Sequence, residues 1–349
     1  MATTSRPAYE PHTPHTWCGR RGLWQVGHSL YEGALILCVA RRLAVRECDC
    51  FCFGTAMRRM RVARTLRSME IRPLSQADVS TVAAIGREAF EPPDAIVTPR
   101  DLARSERRFA HLRSTDPDGA WVAVDDDETV VGAGLGIVRE GVWGLSFLAV
   151  RPQLQARGIG RELLARTIAY ADACGATARI ILSSTDPKAM RRYFRAGLGL
   201  RPCVAAGGIL DRERLRPVAP EVIATDDVAA TAALSRAVRG ASHHRDIPVF
   251  LAGGMELLLW PGRGFVVHDF GTIKLLAARD EEAATALLWA ALAAAPPGVT
   301  INVDFLTAGQ DWAIAVLLEA GLALSPDGPV FVAGDPGPMA PYIPSGAYL

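Results

Sequence analysis

The residues best placed to do chemistry lie between Leu148 and Leu164. An apolar run, Leu148-Ala149-Val150, stops at Arg151-Pro152. The loop Gln153-Leu154-Gln155-Ala156-Arg157-Gly158-Ile159-Gly160-Arg161 follows, and an amphipathic helix begins. Strand, glycine loop and helix N-terminus together form an anion cradle. The N–H groups of the first helical turn have no intrahelical partner and point at whatever sits before them. Gly158 and Gly160 let the backbone approach a bulky phosphate, and Arg157 and Arg161 add positive charge. The same residues also suit an ordinary strand-to-helix turn whose glycines serve close packing.

The pattern Gln-x-x-Gly-x-Gly at Gln155–Gly160, after Val150-Arg151-Pro152, resembles the acetyl-CoA pyrophosphate loop of the GNAT superfamily of N-acetyltransferases. A second motif supports the resemblance: Ala189-x-x-x-Tyr193-x-x-x-Gly197-Leu198 is similar to the family's Ala-x-x-x-Tyr-x-x-x-Gly-Phe helix. The resemblance implies acetyl-CoA as co-substrate. The pantetheine arm would lie against the backbone of Leu148, Ala149 and Val150. The pyrophosphate would be held by Gln155, Ala156, Arg157, Gly158, Ile159, Gly160 and Arg161. Where the family often has Asn near the start of the tyrosine helix, this chain has Asp186, which suits a helix cap or a contact to CoA.

Acetyl transfer from a thioester to an amine needs a neutral amine, a donor for the tetrahedral oxyanion, and a proton for the leaving thiolate, whose conjugate acid ordinarily has a pKa of ~8.5. The resemblance assigns the last role to Tyr193. Packing of a core tyrosine is the alternative, because the period of four from Ala189 to Gly197 also fits burial. No general base is evident. Strand 141–150 carries no carboxylate; Glu140 at its edge is the nearest candidate, beside a water relay. The run His243-His244-Arg245-Asp246 could reach across from the second half, although surface histidines are its simpler reading. The apolar, proline-stiffened tail from Pro341 to Leu349 resembles that of tandem enzymes such as the enhanced-intracellular-survival acetyltransferases. Their terminal carboxylate enters the active site, which makes Leu349 a candidate beside simple docking of the tail.

The elements that must position these residues follow from the pattern. The chain has 349 residues, half of them hydrophobic, enough for two domains with real cores. No apolar run approaches the ~20 residues of a membrane span. Residues 1–68 carry eleven arginines against four carboxylates and five of the seven cysteines, Cys18, Cys38, Cys48, Cys50 and Cys52. The rest is therefore net acidic, which argues against a nucleic-acid-binding core. Cys48-Asp49-Cys50-Phe51-Cys52 lacks the spacing of common zinc knuckles, and no metal is expected. Residues 1–68 read as an extension, with three readings open: a poorly ordered or mis-extended start, a targeting arm, or a functional cysteine-bearing segment. Arginine-rich, alanine-rich composition with only two lysines, Lys188 and Lys274, suggests a bacterial source, and the cysteine usage a cytoplasmic one.

From Met69 the pattern predicts strand 69–74, helices 75–90 and 99–112, strands 120–125, 129–140 and 141–150, helix 158–174, strand 178–183, helix 187–196 and a strand near 200–205. Asp125–Glu128 reads as a solvated hairpin tip. Gly132, Gly134 and Gly136 share one face of their strand, kept bare either for a ligand or for a strong bend. After a linker at 207–222 come helix 225–238, strands near 256–260, 264–269 and 272–277, helix 280–294, strand 299–304, helix 310–320 and a strand near 329–333.

The second set reads as a degraded copy of the first. Ala189–Leu200 aligns with Ala313–Leu324 at an offset of 124, whereas Leu148–Arg151 aligns with Leu276–Arg279 at 128. The copy has thus lost four residues within the loop itself. Its remnant Asp280-Glu281-Glu282 would repel phosphate, and Leu317 replaces Tyr193. The fold expected is α/β, two GNAT-like domains in tandem over 69–216 and 217–349, each a mixed, partly splayed sheet flanked by helices. The function expected is an acetyl-CoA-dependent N-acetyltransferase with an active first domain, acting on a small-molecule or protein amine, with no nucleic-acid or membrane partner. The second domain would shape the acceptor pocket or a homodimer contact. A non-catalytic acyl-CoA-binding sensor on the same fold is the alternative. The net acidic body mildly favours a cationic amine.

Overall fold

The computed structural model describes residues 69–349 except Pro93; the readings for 1–68 lie outside the described residues. The first half runs β1 (Glu70–Pro73), α1 (Val79–Phe90), α2 (Pro99–Thr115), β2 (Ala120–Val124), β3 (Val130–Arg139), β4 (Val142–Val150), α3 (Ile159–Ala173), β5 (Ala178–Leu182), α4 (Pro187–Arg195) and β6 (Gly199–Ile209). The second half runs β7 (Ile223–Thr225), α5 (Ala232–Arg239), α6 (Ile247–Ala252), β8 (Glu256–Trp260), β9 (Gly264–Asp269), β10 (Thr272–Ala278), α7 (Glu281–Ala293), β11 (Thr300–Thr307), α8 (Asp311–Glu319), β12 (Ala323–Ala333) and β13 (Tyr342–Ile343). The α/β class with flanking helices is as expected. Of the two sheets only the first is mixed; the second, expected to be mixed as well, is antiparallel throughout because β8, β9 and β10 follow one another through tight turns.

Local chemistry sets the helix starts. Asp78 accepts from the Ser75 N–H at 2.8 Å, closing the turn that leads into α1. Thr98 and Asp101 form a capping box before α2, with Pro99 at the first helical position. The helix expected at 225–238 starts only at Ala232. Ile223–Thr225 instead pairs with β8, and the Asp227 carboxylate caps an intervening turn at the Ala230 N–H. At the β2–β3 hairpin, Asp125 accepts from the Asp127 and Thr129 N–H groups, a local turn rather than a metal site.

The three glycines of β3 serve neither of the uses anticipated. A Cβ on Gly132 or Gly134 would meet Leu163 at 3.1–3.4 Å, and one on Gly136 would meet Trp143 Nε1 at 2.5 Å and Thr167 Cβ at 3.2 Å. The face is bare so that α3 can lie against the sheet. Leu163 and Thr167 of that helix are fully buried there.

The strands of the two halves interleave. One eight-stranded sheet has the order β1-β2-β3-β4-β5-β12-β6-β11 and a second has β13-β10-β9-β8-β7. β12 lies between β5 and β6, and β6 between β12 and β11, all antiparallel. β6 and β12 are longer than their sequence patterns suggest because each takes both its partners from the other half. Buried ion pairs fasten the same boundary. Arg139 donates to Asp116 at 2.7 Å and to Asp246 at 2.7 Å, and His111 meets Asp246 at 2.9 Å. Arg104 and Asp269 form a further, part-buried pair at 2.5 Å.

Candidate active site

β4 and β5 are parallel neighbours for only three residues, Val142–Gly144 opposite Ala178–Ile180. They then separate, and a cavity of about 1020 Å³ opens in the wedge. Leu145 to Val150 form one wall, and Leu182 to Ala189 another. A strand that has lost its neighbour offers unpaired backbone groups to an extended ligand arm. The predicted Leu148, Ala149 and Val150 lie on this wall.

At the end of β4 the wedge meets the loop. Ala156 and Gly158 have φ of +64° and +94°, and Gly158 is the N-cap of α3. Within the first helical turn the earliest bonded N–H groups are those of Arg161 and Glu162, both to the Gly158 carbonyl. Among the described residues, the N–H groups of Ala156 through Gly160 have no hydrogen-bond acceptor, which is the arrangement an anion requires. Gln155, Ala156, Ile159 and Gly160 line the cavity. The Gln155 side chain, though, is turned inward, donating to the Val150 carbonyl at 3.2 Å. Arg157, Gly158 and Arg161 do not line the cavity, and both arginines are exposed. A residue the sequence reading missed takes the inner position: Arg192 lines the cavity, and its Nη1 would stand 2.9 Å from a Cβ on Gly160. Its place beside Tyr193 in the second motif was the available signal.

Tyr193 lines the same cavity from α4. It is 6% exposed, and its ring packs edge-on against Phe331 of β12 at 5.5 Å between centroids. Burial pushes the phenol up to about 12, so it stays protonated throughout the neutral range. Asp186 also lines the cavity while accepting from the Lys188 N–H at 2.9 Å, the cap that the sequence suggested.

The second half answers each of these features differently. Between β4 and α3 lie eight residues, 151–158; between β10 and α7 lie only Arg279 and Asp280. The Asp280 carboxylate accepts from the Ala283 N–H at 2.9 Å and pairs with Arg263 at 2.5 Å. That helix end is therefore capped by its own carboxylate. The edge of β10 is also taken. β13 pairs antiparallel with it, Leu276 opposite Ile343 and Ala277 opposite Tyr342, and the Ala278 N–H donates to the Pro341 carbonyl at 3.3 Å. These three residues stand 128 positions after Leu148, Ala149 and Val150. Leu317, 124 positions after Tyr193, is fully buried core.

The candidates for general base are dispersed. Glu140 does not line the cavity. It pairs with Arg236 at 2.6 Å, and that guanidinium holds its carboxyl below the usual range. His243 is not a surface residue: it is fully buried and bonded to the Tyr342 hydroxyl at 2.7 Å, and burial drives its pKa well down. The cause is the tail, which folds over it. His244 is exposed. Leu349 is fully buried, its side chain filling the space beside Gly144 and its carbonyl accepting from the Tyr342 hydroxyl at 2.7 Å; it does not line the cavity, whereas Gly346 does. Further charged residues reach the cavity unforeseen: Arg87, Glu91 and Lys188 at its edges, Arg108 from α2, Asp304 from β11 and Asp327 from β12. No local pattern marks them, since strand exchange brings the last two there. Among the described residues no cluster suits a metal ion, and no helix is long and apolar enough to cross a membrane.

Residues 85–199 match the sequence profile of the acetyltransferase (GNAT) family. In structure the chain is similar to a protein from Pyrococcus horikoshii described as a candidate acetyltransferase, with a TM-score of 0.67 at 16% identity over 80% of this chain and 96% of that one. It is also similar to GCN5-related N-acetyltransferases from Sphaerobacter thermophilus (TM-score 0.50, 15% identity, 77% and 96% covered) and Kribbella flavida (TM-score 0.50, 17% identity, 76% and 71% covered). At these identities the likeness is one of fold. No curated protein matches the chain in sequence.

Proposed function

We propose that the chain, whose residues 85–199 match the acetyltransferase (GNAT) family, is an acetyl-CoA-dependent N-acetyltransferase whose first half, 69–216, holds the co-substrate and the general acid. The observation that carries this reading is the wedge between β4 and β5, which runs from the strand edge at Leu148–Val150 to the unbonded N–H groups at the start of α3.

The parts of the cavity fit acetyl-CoA in order. The loop from Ala156 to Gly160 and the Arg192 guanidinium suit the pyrophosphate, and a side chain at Gly160 would intrude on Arg192. The edge of β4 suits the pantetheine amides. A β4 N–H in the wedge suits the thioester oxygen, where negative charge builds during attack. The amine nitrogen forms a bond to the acetyl carbon as the carbon–sulfur bond breaks. The Tyr193 phenol gives its proton to the departing sulfur and recovers one from water. The attacking nitrogen sheds its proton to a base.

The second half, 217–349, keeps the fold but not the site. Asp280 supports this, because it occupies the helix end where a phosphate would bind, and β13 supports it by occupying the strand edge where pantetheine would lie. It contributes side chains to the first half's cavity, the exchanged β12 supplying Phe331 behind Tyr193 and β11 supplying Asp304.

Titration calorimetry with acetyl-CoA, followed by thiol release over a panel of amines, tests the reading. Binding with amine-dependent thiol release is expected. Failure to bind acetyl-CoA would overturn it; binding with no amine acetylated would turn the chain into an acyl-CoA-binding sensor.

A further inference from the structure

A second cavity of about 390 Å³ adjoins the first. The two share Ser105, Arg108, Asp304, Phe305 and Gly346, so they form two arms of one cleft. The tail, from Ile343 to Tyr348, walls the smaller arm on one side, and α2 and β10 on others.

The charges at this junction are unevenly matched. Arg108 donates from Nη2 to the Ser146 carbonyl at 2.5 Å and to its hydroxyl at 3.2 Å. Its Nε is buried with no hydrogen-bond partner. No carboxylate among the described residues lies within ion-pair distance of it, and its guanidinium stands over the Phe109 ring at 5.4 Å from the centroid. Lys274 lines the smaller arm without an ion pair among the described residues. Asp269 and Asp304 act on it only through space. Burial lowers the pKa of both cations. A desolvated cation is costly unless an anion accompanies it. The other charges of the arm are already engaged, Arg104 with Asp269 and Asp101 with Thr98.

Asp304 stands at a bulge, within reach of the Lys274 charge. The β11–β6 register shifts between Val303 and Leu306, and Phe305 has a φ of +59°, unusual for an aromatic residue. The Phe305 N–H donates to the Asp327 carboxylate at 2.9 Å, and Asn302 donates to Asp304 at 2.5 Å. Burial and the neighbouring Asp327 charge raise the Asp304 pKa, which strengthens it as a proton acceptor.

Resting on the acetyltransferase reading above, we propose that the smaller arm is the acceptor subsite and takes a small amine that also carries an anionic carboxylate or phosphate, with Arg108 and Lys274 holding the anion and Asp304 accepting the proton from the attacking nitrogen. An acceptor of about amino-acid size fits the arm. Its anion would sit among the cations and its amine at the junction, where the arm opens on β4 at Ser146.

The test measures kcat/KM by thiol release for the full chain with saturating acetyl-CoA. Three matched probe sets are used: amino acids, the corresponding amides and decarboxylated amines, and aminoalkyl phosphates. The anionic acceptors are expected to exceed their neutral counterparts by at least about tenfold, a difference of about 1.4 kcal/mol. Whether the amino acids or the aminoalkyl phosphates lead identifies the anion. In Lys274→Met that ratio should fall toward one. Asp304→Asn should lower kcat on every acceptor while calorimetric binding of acetyl-CoA is retained, which separates it from a folding defect. Neutral amines or diamines acetylated as well as the anionic ones would overturn the subsite alone, as would an unchanged ratio in Lys274→Met. Preference for the N-terminus of a peptide over all three sets would also overturn it. Absence of acetyl-CoA binding would overturn the acetyltransferase reading and the subsite with it.

Discussion

Tyr193 and Phe331 pack edge to face at 5.5 Å, although one belongs to the helix after β5 and the other to a strand 138 positions further along the chain. The contact exists because β12 inserts beside β5. The tyrosine proposed as general acid is thus buried by a side chain from the half that lacks the cofactor features.

That burial sets the first expectation. Tyr193→Phe should keep acetyl-CoA binding and lower kcat by about 10²–10⁴-fold, the usual weight of a general acid. Because burial holds the phenol up to about 12, the tyrosine imposes no loss of rate between neutral pH and about pH 11. The folded pKa lies above the unfolded value, and for a phenol this favours the neutral form. The corresponding stability is present below pH ~10 and is lost as pH rises from there through 12. Rate profiles and alkaline denaturation check both statements.

At the loop, Gly158 holds a φ of +94° that an L side chain rarely adopts. Gly158→Ala should cost about 1–2 kcal/mol, read as a lower denaturation midpoint. Gly160→Val would set its Cβ against Arg192 and should weaken acetyl-CoA by about tenfold or more, about 1.4 kcal/mol or more. Calorimetry on each variant separates the stability effect from the binding effect.

Asp246 joins the halves by meeting both Arg139 and His111. Asp246→Ala leaves the Arg139 guanidinium buried with Asp116 alone and should destabilise the protein by about 3–5 kcal/mol. Burial opposes ionisation of Asp246, but hydrogen bonds from His111 and Arg139 outweigh it and hold the carboxyl well below its usual range. Asp78 is likewise held at about 2, chiefly by Arg72. Depressed carboxyls contribute stability that is complete above pH ~4 and falls as these groups take up protons. Acid denaturation of the wild type should therefore steepen below pH ~4, and less so in Asp246→Ala.

The tail gives a stoichiometric prediction. Ile343 is 1% exposed and pairs with Leu276. Ile343→Ala should cost about 2–5 kcal/mol. Even where the variant loosens β13, Asp280 still caps α7, so calorimetry should report one acetyl-CoA per chain, not two.

Much of this was legible in the sequence, because its signals are local. The strand, glycine loop and helix from Leu148 onward rest on the period of apolar residues and on Gly158 and Gly160. Tyr193 stood in a motif of fixed spacing, and the offsets of 128 and 124 located the shortened loop before any strand was placed. What those signals could not contain was the partner of each strand. β6 and β12 look short in isolation, since all their pairing comes from the other half of the chain. The three glycines of β3 gave no sign that Leu163 and Thr167 would press on them. His243 reads as a surface residue until the tail covers it. Asp304, Asp327 and Arg108 carry no motif; a bulge, an exchanged strand and a helix bring them to one cleft. Local propensity and spacing thus determined most elements and the glycine loop, because both are written in neighbouring residues. The side of the cavity lined by Arg108, Asp304 and Asp327 depended on long-range pairing and desolvation, which only the tertiary structure decides.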